Sequence, residues 1–303
     1  MCAPTIKAEK ECLREGEAFQ AVLIDAHTHI GRVRSWSKKL IGTVEASLQD
    51  LLEYVCNENL EKVVLLPVAK SYLDIGEDIA KTEDVLKAYS LHPEKIIPFC
   101  AFDPREEGLR EKIRDAVGKG ARGFGEHKVE IRIDDEYNAG LFKICGEHGL
   151  PVLLHIDDRF NPDFEGFKEV VARFEETVFI AHGPGWWAKI GSEETNEVYP
   201  RGCVSEPGEV VRILKEYKNV YADISAFSGL NAISRDSDFG RRFLSDMKDK
   251  IVYGTDFPCI NSEGFQFGPD ESHFSVLKRY SLEEEAVKRI TRENILKILK
   301  PLE

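Results

Sequence analysis

Short apolar runs alternate with amphipathic segments eight times along this chain of 303 residues. That alternation limits the fold more than any other feature. The runs are Ala21–Ile30, Lys62–Ala69, Lys95–Phe102, Ala121–Lys128, Pro151–Ile156, Val178–His182, Val220–Ser225 and Ile251–Phe257. Most are continuously apolar rather than alternating, the pattern of parallel strands covered on both faces. Helical segments lie between them. Ser47–Leu60 puts Leu48, Leu51, Leu52 and Val55 on one face, and Gly108–Lys119 does the same with Leu109, Ile113, Ala116 and Val117 before Gly118 and Gly120 stop it. Glu77–Ser90, Tyr137–His148, Phe164–Phe174, Glu209–Lys218, Asp238–Lys248 and Leu282–Leu299 also read as helices.

Eight such units predict an α/β fold, a closed (β/α)8 TIM barrel. The alternative is a doubly wound open sheet, which often holds its ligand on a glycine-rich turn after the first strand. Here that turn reads HTHIGRV, with no GxGxxG. We read one domain over residues 1–303, with 1–19 as an N-terminal extension packed outside.

Composition narrows the function classes. Hydrophobic residues make up 42% of the chain, enough to bury a large core, and the formal net charge is −13. An acidic chain gains nothing from the phosphate backbone, so nucleic acid is not an expected partner. No apolar run approaches the ~20 residues of a membrane helix, and Met1–Phe19 lacks the apolar stretch of a secretory signal. The seven cysteines are scattered, without a CxxC pair. A reducing cytoplasm is expected, with no disulfide framework or thiolate zinc site. The expected partner is a small-molecule substrate, and a homo-oligomer is left open.

Barrel enzymes keep their catalytic groups at the C-terminal ends of the strands. Four of the chain's eight histidines fall at such ends: His27 and His29 on the first strand, His155 on the fifth and His182 on the sixth. Glu126, Asp223 and Asp256 end the fourth, seventh and eighth. His27 and His29, two apart, should share a face and chelate one metal. Asp25 is then placed to orient an imidazole. A lone buried histidine is more often a satisfied core residue, but four at strand ends beside complementary acids point to metal. Imidazole and carboxylate donors suit zinc above all, as one or two ions, and also iron, nickel or manganese. His92, His127, His148 and His273 are read as structural or exposed.

The strings IDAHTHIG, LPVLLHID, FIAHGPG, VYADIS, IVYGTDFP and ITRENILKIL resemble the metal-dependent hydrolases of the amidohydrolase superfamily. The likeness is nearest the "amidohydrolase 2" subgroup that contains aminocarboxymuconate-semialdehyde decarboxylase, and runs from about Val22 to Leu299. The resemblance implies that His27, His29 and His155 are metal ligands. It implies that Asp256 touches the metal and takes the proton of the attacking water. His182 would bind a second metal or polarise the substrate. Gly125-Glu126 departs from the decarboxylase-like pattern and looks like the strand-four GE of the TatD-type hydrolases, where the glutamate contacts or bridges metals. Glu126 could instead pair with Arg122 or Lys128.

The remaining assignments concern substrate. Lys128, two residues past Glu126, is a candidate to bind a substrate carboxylate or to be a carboxylated bridging lysine; a plain salt bridge is the simpler role. Arg32, Arg34, Lys38 and Lys39 form a basic loop that would attract an anionic substrate, or else a solvated surface. Trp186 and Trp187, in the long stretch Gly183–Pro207, are expected to line the pocket or to pack beneath it. Cys259 reads as an apolar filler. The function expected is metal-dependent hydrolysis of an amide, lactone or ester-like bond through metal-activated water. The alternatives are metal-dependent non-oxidative decarboxylation and a non-catalytic metal-binding barrel.

Overall fold

The computed structural model describes residues 22–36, 41–193, 195, 197–259 and 273–299. The N-terminal extension, Lys38 and Lys39 lie outside the described residues.

Eight parallel strands form the barrel. They are β1 (Leu23–Thr28), β4 (Leu60–Leu65), β6 (Ile96–Pro98), β7 (Phe124–His127), β8 (Val152–His155), β9 (Phe179–His182), β10 (Val220–Asp223) and β11 (Ile251–Val252). Continuous pairing gives two arcs, β1-β4-β6 and β7-β8-β9-β10-β11. Single parallel bridges close them, Cys100 to Phe124 on one side and Thr28 to Phe257 on the other. This is the (β/α)8 TIM barrel that the alternation predicts, with the open-sheet alternative excluded by closure.

The barrel interior is filled by about one residue per strand, among them Ile24, Val64, Phe99, Leu153, Ile180, Tyr221 and Val252, with Ile295 and Ile298 packed against them. Each such burial is worth roughly 1.5–3 kcal/mol. Two further clusters join the strands' outer faces to the helices. The helices around the barrel are α1 (Leu48–Asn57), α2 (Thr82–Leu91), α3 (Leu109–Gly118), α4 (Glu136–Glu147), α5 (Phe164–Arg173), α6 (Pro184–Trp187), α7 (Glu209–Glu216), α8 (Ala226–Ser234), α9 (Ser237–Asp246), α10 (His273–Arg279), α11 (Glu284–Lys288) and α12 (Asn294–Ile298). No helix among the described residues is long and apolar enough to cross a membrane.

Three local differences from the sequence reading have physical causes. The basic stretch after β1 is not a loop. β2 (Gly31–Trp36) and β3 (Ile41–Ala46) form an antiparallel hairpin, and β5 (Asp78–Ile79) adds to its edge. That pairing removes residues 77–79 from the second helix, which begins at Thr82, where Asp84 accepts from the Lys81 N–H. The C-terminal helix is interrupted by one π-type turn at Arg289–Glu293 between α11 and α12.

Candidate metal centre

β1 delivers His27, His29 follows directly after its end, and each imidazole is fixed by its Nδ1. The His29 Nδ1–H donates to the Leu66 carbonyl at 2.9 Å. The Nδ1 of His27 meets Asp223 Oδ2 at 2.6 Å and Ser225 Oγ at 3.0 Å. Both Nε2 atoms are therefore left to face each other, 3.0 Å apart. Asp256 Oδ1 lies 3.4 Å from both of them, and Glu126 Oε2 lies 3.4 Å from that of His29. Asp256 sits just past β11 with φ at 65°, a left-handed conformation that aspartate tolerates, and its N–H donates to the His27 carbonyl at 2.8 Å.

Glycine at 254 makes this approach possible. A Cβ there would stand 2.5 Å from Asp223 Oδ1 and 2.9 Å from His27 Cβ. No side chain fits between the two strands that carry the His27–Asp223 pair.

Glu126 faces two ways. Its Oε2 addresses His29, while Oε1 lies 2.7 Å from His155 Nδ1 and 4.0 Å from His182 Nε2. His155 Nε2 meets Asp157 Oδ2 at 3.0 Å, and His182 Nδ1 meets Ser225 Oγ at 2.8 Å. Ser225 thus touches both His27 and His182. Glu126 pairs with neither Arg122 nor Lys128.

Burial would drive the Glu126 carboxyl up, but hydrogen-bonded His155, with Lys128 and His27 nearby, holds it well below the usual range. Burial likewise opposes charge on His27, yet Asp223, Asp256 and Glu126 raise it to about 9. His155 rises to about 9, because Asp157 and Glu126 overcome its burial. His182 is pushed down to about 3 by burial and by the neighbouring His27.

Three overlapping groups bring their donor atoms within 4.8 Å of one another: His27, His182 and Asp256; His27, His29 and Glu126; Glu126, His155 and His182. Two nitrogens about 2.0–2.1 Å from a tetrahedral zinc ion lie about 3.3–3.4 Å apart. The separations of 3.0 and 3.4 Å among His27, His29, Asp256 and Glu126 match that spacing. Two buried Nε2 lone pairs this close also repel unless a cation or proton is shared. The donor set therefore fits a divalent metal ion.

Above the cluster lies a cavity of about 750 Å³. His29, Glu126, His155, His182 and Asp256 line its floor, and Phe160, Phe164, Tyr199 and Phe227 line its walls. Lys128 also lines it, but both oxygens of buried Glu77 hold its Nζ, at 2.7 and 2.9 Å. The salt-bridge role is therefore the one observed.

Several sequence assignments are corrected. Trp186 and Trp187 do not line the cavity. They belong to the buried cluster between barrel and helices, and Trp187 Nε1 donates to the Asp223 carbonyl at 3.0 Å. The short helix α6 turns both indoles inward, which exposes Pro184, Gly185 and Ala188 to the cavity instead. Arg32 is also off the wall. Hairpin pairing sets it opposite Asp78, 3.9 Å away at the surface, and Arg34 reaches the cavity. Asp25 orients no imidazole. β1 is irregular between Asp25 and Thr28, and the Asp25 carboxylate accepts from the His27 N–H, from Thr255 and from Tyr54 of α1.

Asp223 holds the imidazole that Asp25 was expected to hold. It ends a strand in the sequence, but its pairing with His27 across 196 positions carries no local signature. Ser225, Asp157 and Glu77 were likewise missed. The alternate spacing of Asp223 and Ser225 is the one available hint that they share a face.

A closed barrel with a buried His–Glu–Asp cluster at its strand ends is a TIM barrel with a candidate metal centre. The amidohydrolase family model Amidohydro_2 matches residues 24–300, so the chain belongs to the amidohydrolase 2 family. No curated protein matches it. Among solved structures it is similar to a candidate 2-pyrone-4,6-dicarboxylic acid hydrolase from Pseudomonas putida, with TM-score 0.61 and 14% identity over 93% of this chain and 98% of that one. It is similar to an amidohydrolase from Burkholderia multivorans with bound zinc, with TM-score 0.58 and 14% identity over 92% and 99%. It is similar to 2,6-dihydroxybenzoate decarboxylase from Rhizobium, with TM-score 0.55 and 12% identity over 92% and 99%. At these identities the likeness establishes the barrel alone.

Proposed function

We propose that this protein is a metal-dependent hydrolase acting on an amide, lactone or ester-like bond of a small molecule. One observation carries the reading: Glu126 directs one oxygen to His29 and the other to His155 and His182. A carboxylate placed between two donor groups is the arrangement that lets one glutamate serve two metal positions, and it supports hydrolysis by a paired-metal site.

His27, His29, Glu126 and Asp256 would hold one ion, and Glu126, His155 and His182 a second. Zinc suits both donor sets, and the Burkholderia relative binds it. The chemistry such ions supply when bound is polarisation of a carbonyl and acidification of water.

The chain's own groups do the rest. Asp256 stands at the cavity floor with Oδ1 turned toward the two imidazoles. It accepts the proton of the attacking water and returns it to the leaving group. His182 lies at the floor with Nδ1 held by Ser225, so its Nε2 would help fix, at the second ion's position, the positive charge that offsets the developing negative oxygen. Asp223 and Asp157 fix the rings of His27 and His155.

Metal counting tests the proposal against decarboxylation. Two ions per chain, with one ion lost on Glu126→Gln, are expected, together with turnover of a lactone, ester or amide. A single ion indifferent to Glu126→Gln, with carbon dioxide released from a carboxylated aromatic, would replace hydrolysis by decarboxylation. A metal-loaded protein inert to both panels would leave the non-catalytic reading.

A further inference from the structure

We infer that the cavity takes a neutral, ring-bearing carbonyl compound, one without a carboxylate of its own. This inference rests on the hydrolytic reading for the carbonyl and on the cavity walls for the rest.

The walls favour a ring. Phe160 and Phe164 face the space from the segment after β8, while Tyr199 and Phe227 meet edge to face with ring centroids 4.9 Å apart. Aromatic faces and edges placed this way bind a flat or cyclic apolar group through dispersion and offset stacking. Ile75, Ile79 and Val33 extend the apolar lining.

The walls disfavour an anion. The two basic side chains that flank Phe160 are already matched to protein carboxylates. Lys128 is held by Glu77, and Arg159 pairs with Asp74 at 2.9 Å and Glu130 at 2.7 Å. Arg34 donates to the Ile75 carbonyl. A substrate carboxylate beside Phe160 must compete with Glu77 for Lys128 or with Asp74 and Glu130 for Arg159, and displacing the buried Glu77 is costly. At the rim, Lys189 is exposed, but so are Asp158 and Glu197. The chain as a whole carries −13, which repels an approaching anion.

A pair of probes without a scissile bond separates this inference from hydrolysis itself: 1-indanone and 1-indanone-5-carboxylate, titrated calorimetrically into the zinc-loaded protein. The ketone is expected to bind roughly tenfold more tightly than its carboxylate. Phe227→Ala should weaken ketone binding roughly tenfold and Phe227→Leu by less, with melting temperatures checking the fold of each. Asp158→Lys should narrow the gap by favouring the carboxylate. Equal or tighter binding of the carboxylate, or ketone affinity indifferent to both Phe227 variants, overturns the inference. Ketone binding as expected alongside failure to turn over any lactone, ester or amide would sink the hydrolytic reading and leave this one standing.

Discussion

At the floor of the cavity and just beneath it, the imidazoles of His27, His29, His155 and His182 each have a ring nitrogen held by a named partner: Asp223, the Leu66 carbonyl, Asp157 and Ser225. On the outer side of the hairpin, Arg32 is 44% exposed and faces an Asp78 that is 62% exposed, 3.9 Å away. The floor uses buried groups, each costly to leave unpaired, so its partners hold one another in place. The outer hairpin uses solvated groups whose pairings are weak and replaceable. Burial, more than charge, decides which pairs fix a position.

The largest expected effect strikes the floor. Asp256→Asn should lower kcat by about 10²–10⁴-fold in assays of the metal-loaded enzyme, with bound metal, measured separately, largely retained by the histidines. Near-normal turnover would remove Asp256 from proton transfer. Asp223→Ala tests whether a group that touches no substrate matters as much. It frees the His27 ring and should weaken metal binding by about 10–100-fold, read by competition with a chelator.

Gly254→Ala sharpens the contrast sterically. Its methyl would press on Asp223 and His27, and denaturant unfolding of the metal-free protein should show a loss of about 1–3 kcal/mol. A neutral result would mean that the strands separate at little cost.

The fourth prediction concerns pH. Burial pushes His127 down to about 4, while its Nε2 bonds Asn138 at 2.8 Å. The unfolded chain takes up that proton near the ordinary histidine value of about 6.5, before the native state does. Stability from this residue is therefore full at pH 7 and is lost as pH falls from about 6.5 toward 4. Buried His273, pushed down to about 4, acts in the same direction. His127→Gln should flatten the decline by about 2 kcal/mol between pH 7 and pH 4.5, measured on metal-free protein by urea unfolding. An unchanged slope would contradict it.

The smallest effect belongs to the outer hairpin. Arg32→Ala should change stability by less than about 0.5 kcal/mol and leave KM within about twofold. A large rise in KM would return Arg32 to the substrate.

The same contrast explains what the sequence made legible. Continuous apolar runs and their period predicted all eight barrel strands, because burial on both faces leaves that mark on composition. The strand ends then located His27, His29, Glu126, His155, His182 and Asp256, which the structure brings into one cluster. The role of Asp223, itself at a strand end, and that of Ser225 stayed hidden, because their partners lie far away in the chain and nothing local distinguishes a bonded aspartate from a solvated one. The walls were misread for a related reason. Whether Trp186 faces the cavity or the core depends on the orientation of a four-residue helix, and whether Arg32 or Arg34 reaches inward depends on the register of a hairpin. Neither is encoded in hydrophobic periodicity.

The two closing bridges of the barrel, at Cys100–Phe124 and Thr28–Phe257, have a mechanical consequence. Glu126 follows one closure by two residues, and Asp256 immediately precedes the other. His27 and His29 belong to the three-strand arc, while Glu126, His155 and His182 belong to the five-strand arc. Three backbone hydrogen bonds hold each seam, Ala26 to Tyr253, Asp256 to His27 and His29 to Phe257 on one side, and Cys100 to Gly123, Arg122 to Pro98 and Gly125 to Cys100 on the other. An ion shared by His29 and Glu126 would therefore add a side-chain tie between arcs already closed by their backbones, so that losing it would empty the centre and leave the barrel shut.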